Sequence, residues 1–324
     1  MQPRFYVNWF ELNSLKANMK VIAKVNSKVL KIKYFVVTVF FVFVSAVLYA
    51  GEHRTVNLAS VSAVVVDLKS AKTLLNKNAD IVMPLASITK LMTSMVVLDA
   101  KLSLTQKIRF TKEDKKRINN YYSRIRVDSE LSRGDVMRIA IMSSENLAAA
   151  ALGRNYPGGV DAFVKAMNKK ALSLGMTHSH FVDPSGLSEL NVSTAADLAK
   201  MVAAAYKYPK IREYSTTKVY TARFRRPHYV LGYVNTNVLV RSGRTDVLLS
   251  KTGYLDEAGR CLVMVRKIAG KKIVMVMLDS FGKRSPIGDA RRIKQWLLTG
   301  KQGRVSKVAQ NYEQMKTAYY SSLN

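Results

Sequence analysis

Runs of β-branched residues fall at the two ends of this chain, with helical texture between them. "VSAVVVD" (61–67) and "KTLLN" (72–76) read as two short strands with a turn between. "VLLSKTGY" (247–254), "RCLVMVRKI" (260–268) and "KIVMVMLDS" (272–280) read as three more, the last two joined as a hairpin across Ala269-Gly270. Strands so far apart in sequence share a sheet only if the intervening chain loops out as a lobe of its own. The expected class is therefore α/β and two-lobed: an antiparallel five-stranded sheet flanked by helices, with an inserted all-α lobe.

The insert carries the helical signals. Apolar spacing runs through "GDVMRIAIMSSENLAAAALGRNYPGG" with a break at Ser143-Ser144, and through "GVDAFVKAMNKKALSLGM", closed by Gly175 at a C-cap. "DPSG" (183–186) is a turn, and Thr194-x-x-Asp197 has the capping-box spacing before an alanine-rich helix. "PIGDARRIKQWLL" is a closing helix with Pro286 in its first turn. Residues 301–324 are polar and read as a peripheral C-terminal tail.

The first fifty residues differ from the rest. Lysine-rich "KVNSKVLKIK" precedes 17 uncharged residues, "YFVVTVFFVFVSAVLYA", and polar sequence begins at Gly51-Glu52. A basic, then apolar, then small-residue order reads as an export signal over 1–50, cleaved near 46 or 50, with an uncleaved anchor as the other reading and Met19 as a second candidate start. Seven of the 52 Lys+Arg and one of the 22 Asp+Glu lie there, so the remainder still carries +24 of the chain's +30. That field favours anionic partners such as an acidic wall polymer or lipid headgroups. Nucleic acid is disfavoured by export, although "VYTARFRRPHYV" interleaves basic and aromatic residues. The single cysteine, Cys261, excludes an internal disulfide, and it sits in a strand as a buried structural residue.

A lysine stands in an apolar helical stretch at "MPLASITKLMTSMVVL" (83–98). Ser-x-x-Lys occurs three times in the chain, but only Ser87/Lys90 lies in such a pattern, where i and i+3 share one helix face. Burial among Leu85, Ile88 and Leu91 lowers a lysine's pKa, and a neutral amine there can take the serine's proton. Two further pieces follow in order: "SSEN" with Ser144 and Asn146 at a break between helices, and Lys251-Thr252-Gly253 on a strand, the one Lys-Thr-Gly in the sequence. Together these form the signature of class A β-lactamases and penicillin-binding proteins.

On "PLASITKLMT", "MSSENLAAAALGRNYPGG", "FVDPSGLS.LNVSTAADLA" and "KTGYLDEAGRCLVM", the sequence resembles the low-molecular-mass penicillin-binding proteins, D-alanyl-D-alanine peptidases of the serine S11 type, and among them the endopeptidases. The resemblance spans roughly residues 55–300, giving a catalytic domain over 51–300. It implies Ser87 as nucleophile, Lys90 as its base and Ser144 as proton relay. It also implies that Asn146 binds substrate backbone, that Lys251 and Thr252 bind its carboxylate, and that the Ser87 and Tyr254 N–H groups form an oxyanion hole beside Gly253. Lys251 is further expected to help keep Lys90 deprotonated. The implied partners are peptidoglycan stem peptides and, covalently, β-lactams, with no cofactor and no metal. The implied place is the periplasm, free or loosely held at the membrane.

Other readings stay open on sequence. Carboxypeptidases of this kind trim a terminal D-alanine, with the same carboxylate beside the scissile amide. A β-lactamase needs a deacylating glutamate, and Glu189 stands two residues before Asn191 where class A enzymes have four. A non-catalytic wall-binding or β-lactam-sensing protein would not need Ser144 and Asn146. His178 and His180 could face one way on a strand and hold a metal, but no third ligand is nearby and "GMTHSHF" reads as a surface turn.

Overall fold

The computed structural model describes residues 56–119 and 121–322. The export reading of residues 1–50 lies outside them. Strands β1 (Ser60–Asp67) and β2 (Thr73–Lys77) precede a helical lobe that contains α1 (Thr89–Asp99), α2 (Arg133–Met142), α3 (Asn146–Arg154), α4 (Gly159–Ser173) and α5 (Ala195–Ala205). A separate hairpin, β3 (Val219–Phe224) with β4 (Tyr229–Val234), leads back to β5 (Val247–Leu255), β6 (Gly259–Ile268) and β7 (Lys271–Ser280), then α6 (Ser285–Thr299) and α7 (Lys307–Ser321). The main sheet has the order β2-β1-β7-β6-β5 and every pairing in it is antiparallel. It is thus the sheet built from both ends of the chain that the strand placement requires.

The central strands read as continuous apolar runs because helices cover both faces of the sheet. On β7, Val274, Val276 and Leu278 enter the large core shared with the helical lobe, while Ile273, Met275 and Met277 pack toward Ala290, Ile293 and Trp296 of α6. Alternation is present in the side-chain directions and absent from the hydropathy. The β6–β7 hairpin closes through Ala269 at φ 46° and Gly270 at φ 77°, the left-handed pair that a two-residue turn demands. Buried Asp289 ties α6 to β1 by accepting from the Ala59 and Ser60 N–H groups at 3.0 and 2.8 Å.

Three local features differ from the sequence reading. Ser87 and Lys90 do not share one α-helix: Ser87 lies in a 3₁₀ turn over Ala86–Ile88 that precedes α1. At Thr194, only half of the capping box forms. The Thr194 hydroxyl accepts from the Asp197 N–H at 3.1 Å, but the Asp197 carboxylate accepts instead from the His178 N–H at 2.8 Å and pairs with Lys200. The segment beyond Gly300 is not peripheral. Its helix α7 buries Tyr320, and the Tyr312 and Tyr320 hydroxyls donate to the buried Asp279 at 2.6 and 3.1 Å, with Lys316 at 3.4 Å. Burial pushes the Asp279 carboxyl up, and these donors counter it.

Candidate active site

The turn that carries Ser87 is shaped from two sides. Ala86 is buried with φ 47°, a left-handed conformation that costs an L-residue about 1–2 kcal/mol, and its carbonyl accepts from the Thr89 hydroxyl at 2.8 Å. Behind it lies Gly186, where a Cβ would stand 2.0 Å from the Ala86 carbonyl oxygen. In front lies Gly253 of β5, where a Cβ would meet the Leu85 carbonyl oxygen at 3.1 Å and the Ser87 nitrogen at 3.3 Å. Two glycines thus let a loop and the sheet edge press on one turn.

Lys90 is fully buried, and its Nζ lies 2.8 Å from Ser87 Oγ, 2.7 Å from Asn146 Oδ1 and 2.6 Å from the Ser185 carbonyl oxygen. Two of those three partners are carbonyl oxygens, which can only accept. A neutral amine has two N–H bonds and one lone pair. The amide and peptide oxygens consume the first two, so the lone pair is left facing the Ser87 hydroxyl. This is the geometry in which an amine receives the serine's proton. Burial lowers the Lys90 pKa to about 7, against a weaker opposing pull from the carboxylates of Asp183 and Glu145.

Lys251, also buried, donates to Ser144 Oγ at 2.8 Å and to the Thr252 carbonyl at 2.6 Å. Its pKa is lowered well below that of an ordinary lysine, first by burial and then by the charge of Lys90. Burial is the first cause of the lowering at both lysines. Ser144 stands between α2 and α3 at φ 63°, an outlier for a serine and a mark of a constrained site. The motif's middle residue, Glu145, caps α3 by accepting from the Leu147 N–H at 3.3 Å. Burial pushes its carboxyl up.

The eight residues singled out by sequence meet around one cleft. Ser87, Ser144, Asn146, Thr252, Gly253 and Tyr254 line a cavity of about 840 Å³, and Lys90 and Lys251 reach them from below by the bonds just given. Sequence reasoning missed the support that "DPSG" supplies. The Asp183 carboxylate accepts from the N–H groups of Ser185, Gly186 and Ser188 and from Asn191 Nδ2, and this wrapped loop aims the Ser185 carbonyl at Lys90. Asp-Pro-Ser-Gly is a turn signal, and the carboxylate that folds it was in plain view. Glu189 is exposed, and the Asn191 side chain is occupied in the same loop. His180 pairs through its backbone with Val192, and among the described residues no three His, Cys, Asp or Glu side chains gather as a metal site.

A family model described as D-alanyl-D-alanine carboxypeptidase, the S11 peptidases, matches residues 50–282. The chain belongs to the S11 peptidase family. It is 47% identical to the D-alanyl-D-alanine endopeptidases of Pseudomonas aeruginosa and Escherichia coli K12, over 81% of this chain and 85% and 84% of those proteins. Among solved structures, the Streptomyces K15 DD-transpeptidase superposes with a TM-score of 0.70 at 28% identity, over 74% of this chain and 97% of that one. Penicillin-binding protein D2 of Listeria monocytogenes in its ampicillin-bound form gives 0.64 at 27% identity, over 74% and 98%. This S11 peptidase is therefore a serine-type DD-peptidase with the two-lobed fold of that group.

Proposed function

We propose that the chain is a D-alanyl-D-alanine endopeptidase that cuts the D-alanyl amide of peptidoglycan crosslinks through an acyl-enzyme, in the periplasm. The observation that carries the chemistry is Lys90 Nζ at 2.8 Å from Ser87 Oγ with two further oxygens, of Asn146 and Ser185, that can only accept from it. The identity to two named endopeptidases supports the choice of crosslink over terminal D-alanine.

In the first step Ser87 Oγ bonds to the D-alanyl carbonyl carbon while its proton passes to Lys90 Nζ. The oxyanion is held by the Ser87 and Tyr254 N–H groups, brought close because Gly253 has no side chain. The C–N bond then breaks, and the proton leaves through Ser144 to the departing amine. Water enters by the reverse route, so that the Ser87 ester bond breaks and the D-alanine carboxylate is released. Asn146 binds the donor peptide's backbone through its amide N–H₂, its oxygen being taken by Lys90. Lys251 and Thr252 receive the carboxylate beside the scissile amide, and that anion opposes the lowering of the Lys251 pKa by burial. β-Lactams acylate the same serine, and Glu189, which comes nearest in sequence to the class A glutamate, is exposed, so the penicilloyl ester is expected to persist.

Crosslinked muropeptide dimers incubated with the purified chain are expected to become monomers, read by mass. Loss of one alanine from pentapeptides with dimers untouched would assign the carboxypeptidase instead. The base predicts its own pH profile. Only neutral Lys90 accepts a proton, so the penicillin acylation rate should climb about tenfold per unit below pH 7 and level off above it, measured by stopped labelling. A rate flat from pH 5 to about 8 would remove Lys90 from the role.

A further inference from the structure

The pairing register of β5 divides its residues between two sides of the sheet. Lys251 and Gly253 pair with Val263 and Cys261, which enter the core under the helical lobe; Thr252 and Tyr254 pair with Leu262 and Arg260, on the face where Leu262 packs toward α6. The cleft that holds Ser87 and Ser144 also reaches residues of that second face, Thr252, Tyr254, Arg260 and Leu262. Beyond Thr252 its walls are Arg260 of β6, Arg241 at the end of the short helix Val238–Arg241, and Lys283 and Arg284 ahead of α6. Asp256 and Glu257 also line it, and Asp256 is engaged by the Tyr254 hydroxyl. Four cations against two carboxylates leave the extension positive, 

and Arg260 is held in place by stacking 3.6 Å over the Tyr254 ring.

Resting on the endopeptidase reading, we propose that Arg241 and Arg260 form a second anion subsite that binds a free carboxylate of the acceptor stem peptide, and so select crosslinked substrate. A terminal D-alanine leaves as a single residue whose one carboxylate Thr252 and Lys251 already take. A crosslinked leaving group continues past that carboxylate into a stem peptide that carries further acidic groups, and the cleft continues in the same direction with cations. Neither arginine takes part in the acid–base chemistry: Arg260 stands on the Thr252 face of β5 and Arg241 ends a separate short helix.

The test uses the full chain with a tetrapeptide–tetrapeptide dimer, the same dimer amidated at the acceptor stem's free carboxylates other than the one beside the scissile amide, and fluorescent penicillin. Arg260→Gln and Arg241→Gln are each expected to lower kcat/KM on the dimer roughly tenfold, mostly through KM. Amidation should cost the wild type a similar factor and the double variant almost nothing more, which is the signature of two groups that act on each other. Penicillin carries no acceptor stem, so its acylation rate should hold within about twofold. Equal losses on penicillin and dimer would show that Arg260 only props Tyr254, and unchanged dimer cleavage would show no subsite; either overturns the inference. If the wild type leaves dimers uncut, the endopeptidase reading itself falls, a different result from variants that cut as well as the wild type.

Discussion

Ser87→Ala should abolish covalent labelling by fluorescent penicillin and lower dimer cleavage by about 10⁴-fold or more, with the melting temperature close to that of the wild type. The size of the effect follows from the bond order of the reaction. Every route to an acyl-enzyme passes through an Oγ–carbon bond, and the other Ser-x-x-Lys pairs offer no substitute. Ser215 lies buried at the end of a short helix, and Ser280 is buried at the end of β7. The small stability change follows from burial. Lys90 loses one of three partners but keeps Asn146 Oδ1 and the Ser185 carbonyl, which satisfy both hydrogens of its neutral form. Gel fluorescence and thermal melts read the two outcomes separately. Labelling of the alanine variant at any substantial rate would transfer the nucleophile elsewhere, and a collapse in melting temperature would show that Ser87 has a structural role the geometry does not display.

The parts of this site that were legible in the sequence are those set by residue type and order. Ser87, Lys90, Ser144, Asn146 and Lys-Thr-Gly announce themselves because the chemistry needs those atoms, and strands at both chain ends dictate the sheet that gathers them. What stayed hidden depends on which neighbour a polar side chain chooses. Asp197 has the spacing for a capping box and spends its carboxylate on His178 and Lys200. Asp183 looks like an ordinary turn former, yet it organises the carbonyl that fixes the Lys90 lone pair. The tail looks solvated because its apolar content is low, but two tyrosine hydroxyls and Lys316 answer one buried aspartate.

Gly186→Ala should cost the folded state about 2–5 kcal/mol and reduce penicillin labelling at least about 100-fold, the largest effect expected of any residue outside the reacting groups. Two penalties coincide there. The residue sits at φ +76°, and its Cβ would stand 2.0 Å from the Ala86 carbonyl oxygen, 2.6 Å from the Ala86 carbonyl carbon and 2.7 Å from Thr89 Oγ1. Those atoms are backbone of a buried turn and a hydroxyl bonded to it, so little can yield except the turn itself. Moving it shifts Ser87, while moving the loop withdraws the Ser185 carbonyl and frees a Lys90 N–H that then competes for the serine oxygen. Either displacement breaks the alignment of lone pair and hydroxyl. Gly270→Ala separates the two penalties, because Gly270 has φ +77° with nothing within 4 Å of its Cβ. That variant should lose only the left-handed penalty of about 1–2 kcal/mol and label like the wild type. Equal labelling by both alanine variants would mean that the loop behind the nucleophile moves freely, and that the lone-pair geometry is not fixed by the Gly186 contact.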